Sequence, residues 1–112
     1  MSLKSRAAVV NAKSPDLVAE VTLYPSAVSG RQSALMPGYG CPCFAQKSTE
    51  QPGWDAWMQR GSTHFAPGQT RTVGFCFLSG EKAAAEIRKV DTFYLWEMGF
   101  IGEAKVIDSK AR

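Results

Sequence analysis

The chain has 112 residues, with 13 lysines and arginines, 10 aspartates and glutamates, one histidine, three cysteines and 45% hydrophobic residues. This bounds a single globular domain with one core. It excludes a helical membrane span, which needs ~20 consecutive apolar residues. The odd cysteine count argues against a disulfide scaffold and suits a reducing, cytoplasmic compartment.

The net charge of +3 is unevenly spread. Lys4, Arg6, Lys13, Lys110 and Arg112 lie near the two ends, and the eight remaining bases face all ten acids, so the body carries −2. A nucleic-acid surface needs its positive charge gathered on one face, and these bases read as solubilising tails. Residues 1–15 are expected to be a flexible lead-in, residues 16–108 one domain and residues 109–112 a short tail. Ala7-Ala8-Val9-Val10 is too short an apolar run for a signal peptide.

In chain order, Leu17, Ala19, Val21 and Leu23 alternate with polar neighbours, the period of a strand with one buried face. Pro25 stops it. Residues 25–40 then form a long irregular segment with Gly30, Pro37, Gly38 and Gly40, of a length that is either functional or packed as a small lobe. Arg31 and Tyr39 are its most capable side chains. Arg31 could also simply pair with an acid or with loop carbonyls, and Tyr39 could lie on the barrel wall.

Cys41-Pro42-Cys43-Phe44-Ala45-Gln46 reads as a second strand. Pro42 demotes it to an edge, or to a position where its missing N–H faces no partner. Trp54-Asp55-Ala56-Trp57-Met58-Gln59 reads as a third, with its two tryptophans on opposite sides, because Gly53 and Gly61 bracket too few residues for a stable helix. Ala66-Pro67-Gly68-Gln69 has the pattern of a type II turn. It launches a fourth strand with Val73, Phe75 and Phe77 on one face and Gly74 on the other, where a neighbouring backbone could approach closely.

The period then changes to that of a short helix capped by Ser79, with Ala83, Ile87 and Val90 as its apolar stripe and a Lys82–Glu86 pair. A last hairpin turns near Met98-Gly99, with Phe93 and Leu95 on one side and Tyr94 and Trp96 on the other. Six short strands and one short helix predict an all-β fold, a closed six-stranded antiparallel barrel, since strands this apolar leave no edge to expose.

The order of Val18-Ala19-Glu20-Val21, Leu23-Tyr24-Pro25, Ser29-Gly30-Arg31, Pro37-Gly38-Tyr39, Pro42, Pro67-Gly68 and Phe93-Tyr94-Leu95-Trp96-Glu97 through Gly99 to Ile101-Gly102 resembles the C-terminal β-barrel domain of elongation factor Tu. It is similar also to small bacterial proteins built on that domain alone. The resemblance runs from about Leu17 to Ile107. It implies a closed six-stranded antiparallel barrel that serves as a docking surface for aminoacyl-tRNA and protein partners. Where that factor has an arginine after its Gly-Tyr pair, this chain has Gly40, and no G-x-x-x-x-G-K-[ST] phosphate loop occurs, so nucleotide hydrolysis does not carry over.

The sequence offers two chemical constellations. Cys41, Cys43, Cys76 and His64 could in principle form a Cys₃His zinc site, but C-x-C is tighter than structural zinc spacings and buried cysteine commonly acts as a small hydrophobe. Ser62, His64 and Asp55 could be imagined as a nucleophile–base–acid set, yet such sets are recognised by geometry and not by proximity in sequence. Glu97 and Glu103 are expected to pair with Lys105 or Arg71 on an outer face.

The sequence therefore points to a non-catalytic binding or scaffold module without a cofactor. Arg31, Tyr39, Trp54 and Trp57 are its candidate partner-binding residues, for a protein partner or self-association. RNA or ribonucleoprotein contact is the alternative, and a Cys/His metal or thiol site the second alternative.

Overall fold

The computed structural model describes residues 14–29, 31–35, 38–59 and 64–107. Most of the two tails, together with Gly30, Met36, Pro37 and residues 60–63, lies outside the described residues.

The alternation of the first predicted strand is realised in β1 (Leu17–Leu23), whose Leu17, Ala19, Val21 and Leu23 are all buried. β2 (Gly40–Phe44), β3 (Trp54–Met58), β4 (Thr70–Phe77), β5 (Thr92–Trp96) and β6 (Phe100–Val106) complete the set. They pair in the order β1-β4-β3-β2-β5-β6 and close on themselves, every pairing antiparallel. The protein is thus a closed six-stranded antiparallel barrel, and closure leaves no strand edge exposed.

The inward side chains interlock across the strands. Phe75 meets Phe93 edge to face at 5.3 Å and stacks beside Phe77 at 6.3 Å. The registers put residues 24–29, 31–35, 38–39, 59, 64–69 and 97–99 at one end of the barrel, here the upper end, and residues 14–16, 45–53 and 78–91 at the lower. At the upper end Leu35 and Phe65 form an isolated bridge, both fully buried. At the lower end the helix Glu81–Arg88 adds Ala83, Ala84 and Ile87 to the core. Arg88 donates to the Asp16 carbonyl, while the Asp16 carboxylate accepts from the Phe77 N–H at 2.9 Å, tying the helix to both neighbouring strands.

Several local expectations are corrected. Among the described residues there are two short helices, α1 (Ser26–Ser29) in the long loop and α2 (Glu81–Arg88). α2 begins at Gly80, whose φ of 61° suits glycine, and no side chain caps it, so Ser79 does not do so. Glu86 pairs with Lys89 and Glu81 with Arg88, in place of the Lys82–Glu86 pair.

β2 is not an edge, since it lies between β3 and β5. Pro42 is tolerated because the ladder to β5 begins only at Cys43. Opposite Gly74 comes no backbone but the side chains of Gln59 and Pro15. The turn at Ala66–Gln69 has Gly68 at φ 88° and the Gln69 N–H bonded to the Ala66 carbonyl, as type II requires. Among the described residues no helix is long and apolar enough to cross a membrane.

Candidate functional site

Because β2 and β3 are half covered on their outer face, the side chains there decide what the barrel presents. Gly40 stands opposite Trp57, and Pro42 opposite Asp55. The indole of Trp57 lies down across Gly40: a Cβ built there would sit 2.8 Å from the Trp57 Cδ1 and 2.9 Å from its Nε1. Beside it a groove of about 280 Å³ opens, walled by Trp57, Pro42, Asp55 and Leu78, with Cys41 and Ala56 beneath. Leu78 is held there by its N–H, which donates to the Asp55 carbonyl at 2.9 Å, yet its side chain is 67% exposed. The surface is therefore aromatic and aliphatic with a single carboxylate, Asp55. It can receive an apolar side chain next to a cationic one.

A second cluster closes the upper end. Tyr39 is half-buried against the core, and its hydroxyl donates to the Glu97 carboxylate. Arg31 donates to the same Glu97 oxygen at 2.7 Å, its Nε donates to the Ser33 carbonyl at 3.0 Å, and its guanidinium stacks 5.2 Å from the Tyr39 ring centre. Burial, followed by the neighbouring Cys41 and the bond to Glu97, holds the Tyr39 phenol well above the ordinary tyrosine range. The long loop is thus strapped to the β5–β6 hairpin. Val28 and Met98, which sit on these two elements, are 69% and 93% exposed. Met98 has a φ of 55°, an unusual setting for a non-glycine side chain.

The four predicted partner-binding residues do not share one surface. Trp57 faces outward onto the groove, while Tyr39 and Trp54 pack against the core, Tyr39 toward the upper end and Trp54 toward the lower. Arg31 is joined to Tyr39 and Glu97 but not to either tryptophan. Sequence reasoning missed Leu78, Pro42 and Asp55. The outward phase of β3 could have pointed to Asp55 beside Trp57, but no pattern announces that Leu78 stays exposed.

The expected carboxylate partners are also corrected. Glu97 is taken by Arg31 and Tyr39, and Glu103 accepts from the Tyr24 hydroxyl at 3.0 Å. Arg71 stands opposite the inward Val21, lies 5.2 Å over the Phe65 ring, and donates to the His64 carbonyl and to Gln69. It covers the barrel mouth and not an outer wall.

The cysteines do not converge. Cys41 and Cys43 belong to the core, whereas Cys76 stands opposite the outward-facing Trp57, on the other side of the wall. No disulfide joins them. Burial pushes the Cys43 thiol well up, as does its contact with Cys41. His64 is exposed in the upper connection, and no three His, Cys, Asp or Glu residues gather to hold a metal ion among the described residues. Ser62 of the imagined catalytic set lies outside the described residues.

Comparison of the chain with known proteins finds no matching family model, curated protein or solved structure.

Proposed function

We propose that the protein is a non-catalytic binding module that takes a peptide segment of a protein partner into the Trp57 groove. The observation that carries this reading is the pairing of an aromatic wall, Trp57, with Leu78, an aliphatic side chain two-thirds exposed to water, around one carboxylate. A large apolar side chain left in solvent beside an indole is the composition of an interaction surface, and tryptophan is prominent among residues that dominate binding energy. The segment it fits has a medium-sized apolar residue adjoining a lysine or arginine, which would face Asp55.

Kinship with the translation-factor barrel is part of the proposal and is supported by the six closed antiparallel strands that it implies. Fold alone assigns no partner. A reducing, cytoplasmic setting goes with this reading, supported by three buried thiols that form no disulfide.

The test is selection from a random peptide-display library on the wild-type protein and on Trp57→Ala and Leu78→Asp variants. The wild type should enrich peptides with an apolar residue next to a basic one, and both variants should lose that enrichment. No enrichment on the wild type, or the same peptides on the variants, would remove the groove from consideration.

A further inference from the structure

The groove beside Trp57 holds two polar groups that the fold leaves unpaired. The Cδ1–Nε1 edge of the indole lies against Gly40, which also lines the groove. Among the described residues that indole N–H donates to nothing. The Asp55 carboxylate, exposed on the same wall, meets neither a cation nor a hydrogen-bond donor among them. The backbone around the two groups is engaged. β2 and β3 pair from Gly40–Trp57 to Cys43–Trp54, the Leu78 N–H is bonded to the Asp55 carbonyl, and Pro42 has no N–H to offer. A ligand therefore meets one N–H donor, one carboxylate and otherwise apolar walls.

Three ways of seating a peptide differ in what they require of a surface. Adding a strand requires an open sheet edge, and this barrel closes on itself without one. Seating a helix requires a trough for anchors from i to i+7, about 10 Å at a rise of 1.5 Å per residue. Trp57 and Asp55, which bound the groove along β3, are two strand positions apart, about 6.6 Å. A polyproline II segment fits that length. It rises about 3.1 Å per residue, so residues two apart stand about 6.2 Å from one another. Proline also brings a backbone carbonyl without an N–H, which suits a groove whose own free backbone-like group is a donor.

We infer that the groove's partner is a proline-rich segment in the polyproline II conformation, ending in arginine or lysine, in the pattern Pro-Pro-Arg or its reverse. The inference rests on the groove being a peptide site and names the peptide it takes. One proline packs between the Trp57 indole and Leu78, and a carbonyl of the segment accepts from the indole N–H. The base two positions along pairs with Asp55, which is otherwise without a cation. Such a segment is largely ordered before it binds, so a groove this short loses little to ordering it.

The experiment titrates the wild-type protein with two peptides of equal length and charge, Arg-Pro-Pro-Pro-Pro-Pro-Arg and Arg-Ala-Leu-Ala-Leu-Ala-Arg. A base at each end lets the first bind in either direction. The proline peptide should bind roughly tenfold more tightly than the alanine–leucine peptide. In ¹⁵N NMR the three tryptophans give three indole signals, and the one missing from Trp57→Phe is assigned to Trp57. That indole proton should move downfield as the proline peptide is added, while those of Trp54 and Trp96 stay in place. Trp57→Phe keeps the aromatic wall without the donor and should weaken binding roughly threefold to tenfold. Asp55→Asn should weaken it roughly twofold to fivefold and flatten its salt dependence.

An alanine–leucine peptide that binds as tightly as the proline peptide, and that Leu78→Asp releases, overturns the inference and leaves the groove standing. A proline peptide that binds without moving the Trp57 indole signal overturns it too. If neither peptide binds with a dissociation constant below about 1 mM while library selection yields other sequences, the inference alone falls. If selection yields nothing as well, the groove falls and the inference with it. The wild type decides the comparison of the two peptides, so that comparison stands even where a variant does not fold.

Discussion

The barrel closes where its first strand meets its last, and Gly102→Ala tests that seam. Gly102 stands opposite Leu23 on β1 and Leu95 on β5, so it faces inward between two leucines. A Cβ there would lie 2.7 Å from the Thr22 carbonyl oxygen, 3.1 Å from the Leu23 Cδ2 and 3.3 Å from the Leu23 Cα. Ordinary contact begins at 3.4 Å, so the strands would have to part by about 0.7 Å at that point. The obstructing atoms are mostly backbone held in the ladder and cannot swing aside as a side-chain tip could. Overpacking costs about 1–3 kcal/mol, and the rigid neighbour places this case near the top of that range. Restricting the unfolded chain returns roughly 0.4–1 kcal/mol. The net loss is about 2 kcal/mol, or about 8 °C in melting temperature for a domain of this size.

The control is Gly68→Ala. Gly68 has a φ of 88° and open space around it, so alanine there suffers only backbone strain, of about 1 kcal/mol. Urea unfolding followed by tryptophan fluorescence, with calorimetry beside it, compares the two. If Gly102→Ala loses no more stability than Gly68→Ala, β1 and β6 are not packed as a closed seam. The barrel would then be an open sheet.

Two further outcomes follow from the buried titratable groups. Cys41, Cys43 and Cys76 are all buried, and burial holds Cys43 in its protonated form, so an aromatic disulfide reagent at neutral pH should find no fast-reacting thiol until urea exposes three. A thiol that reacts at once in the native state would contradict the packing of β2 or β4. The phenols of Tyr24 and Tyr39 are both raised above their usual range, by burial first, with bonds to Glu103 and Glu97 assisting. The folded state then holds these protons more tightly than the unfolded chain. Stability is therefore complete below pH ~10 and falls above it, by up to about 1.4 kcal/mol per pH unit for Tyr39 and by less for the more exposed Tyr24. Urea midpoints measured from neutral to strongly alkaline pH should bend downward near pH 10. Glu97→Gln and Tyr39→Phe should each lessen that bend, and a flat profile would refute the assignment.

The strands were legible because each needed only its own neighbours. Leu17, Ala19, Val21 and Leu23 state their phase in seven residues, and Val73, Phe75 and Phe77 do the same for β4. Pairings of side chains across the barrel were not, since residue type cannot say which acid a distant base will meet. Arg31 and Glu97 are 66 positions apart, and only closure brings the long loop to the last hairpin. For Pro42 it is the second of the two expected settings that holds, a missing N–H that faces no partner: a strand can lie in the middle of a sheet when its second ladder starts a residue later.

Arg71 shows the opposite failure. The period of Val73, Phe75 and Phe77 already put residue 71 on the inward side, and charge alone argued it outward. Period prevails because Arg71 lies at the barrel mouth. There a long stem can cross the Phe65 ring while the guanidinium reaches carbonyl and amide oxygens at the rim. The groove follows the same logic in reverse. Trp57 is apolar yet faces out, because β3 commits Ala56 and Met58 to the core on either side of it. Where a strand's period and a residue's polarity disagree, the period decides the direction. The side chain left on the wrong side for its polarity then marks where to look for a partner.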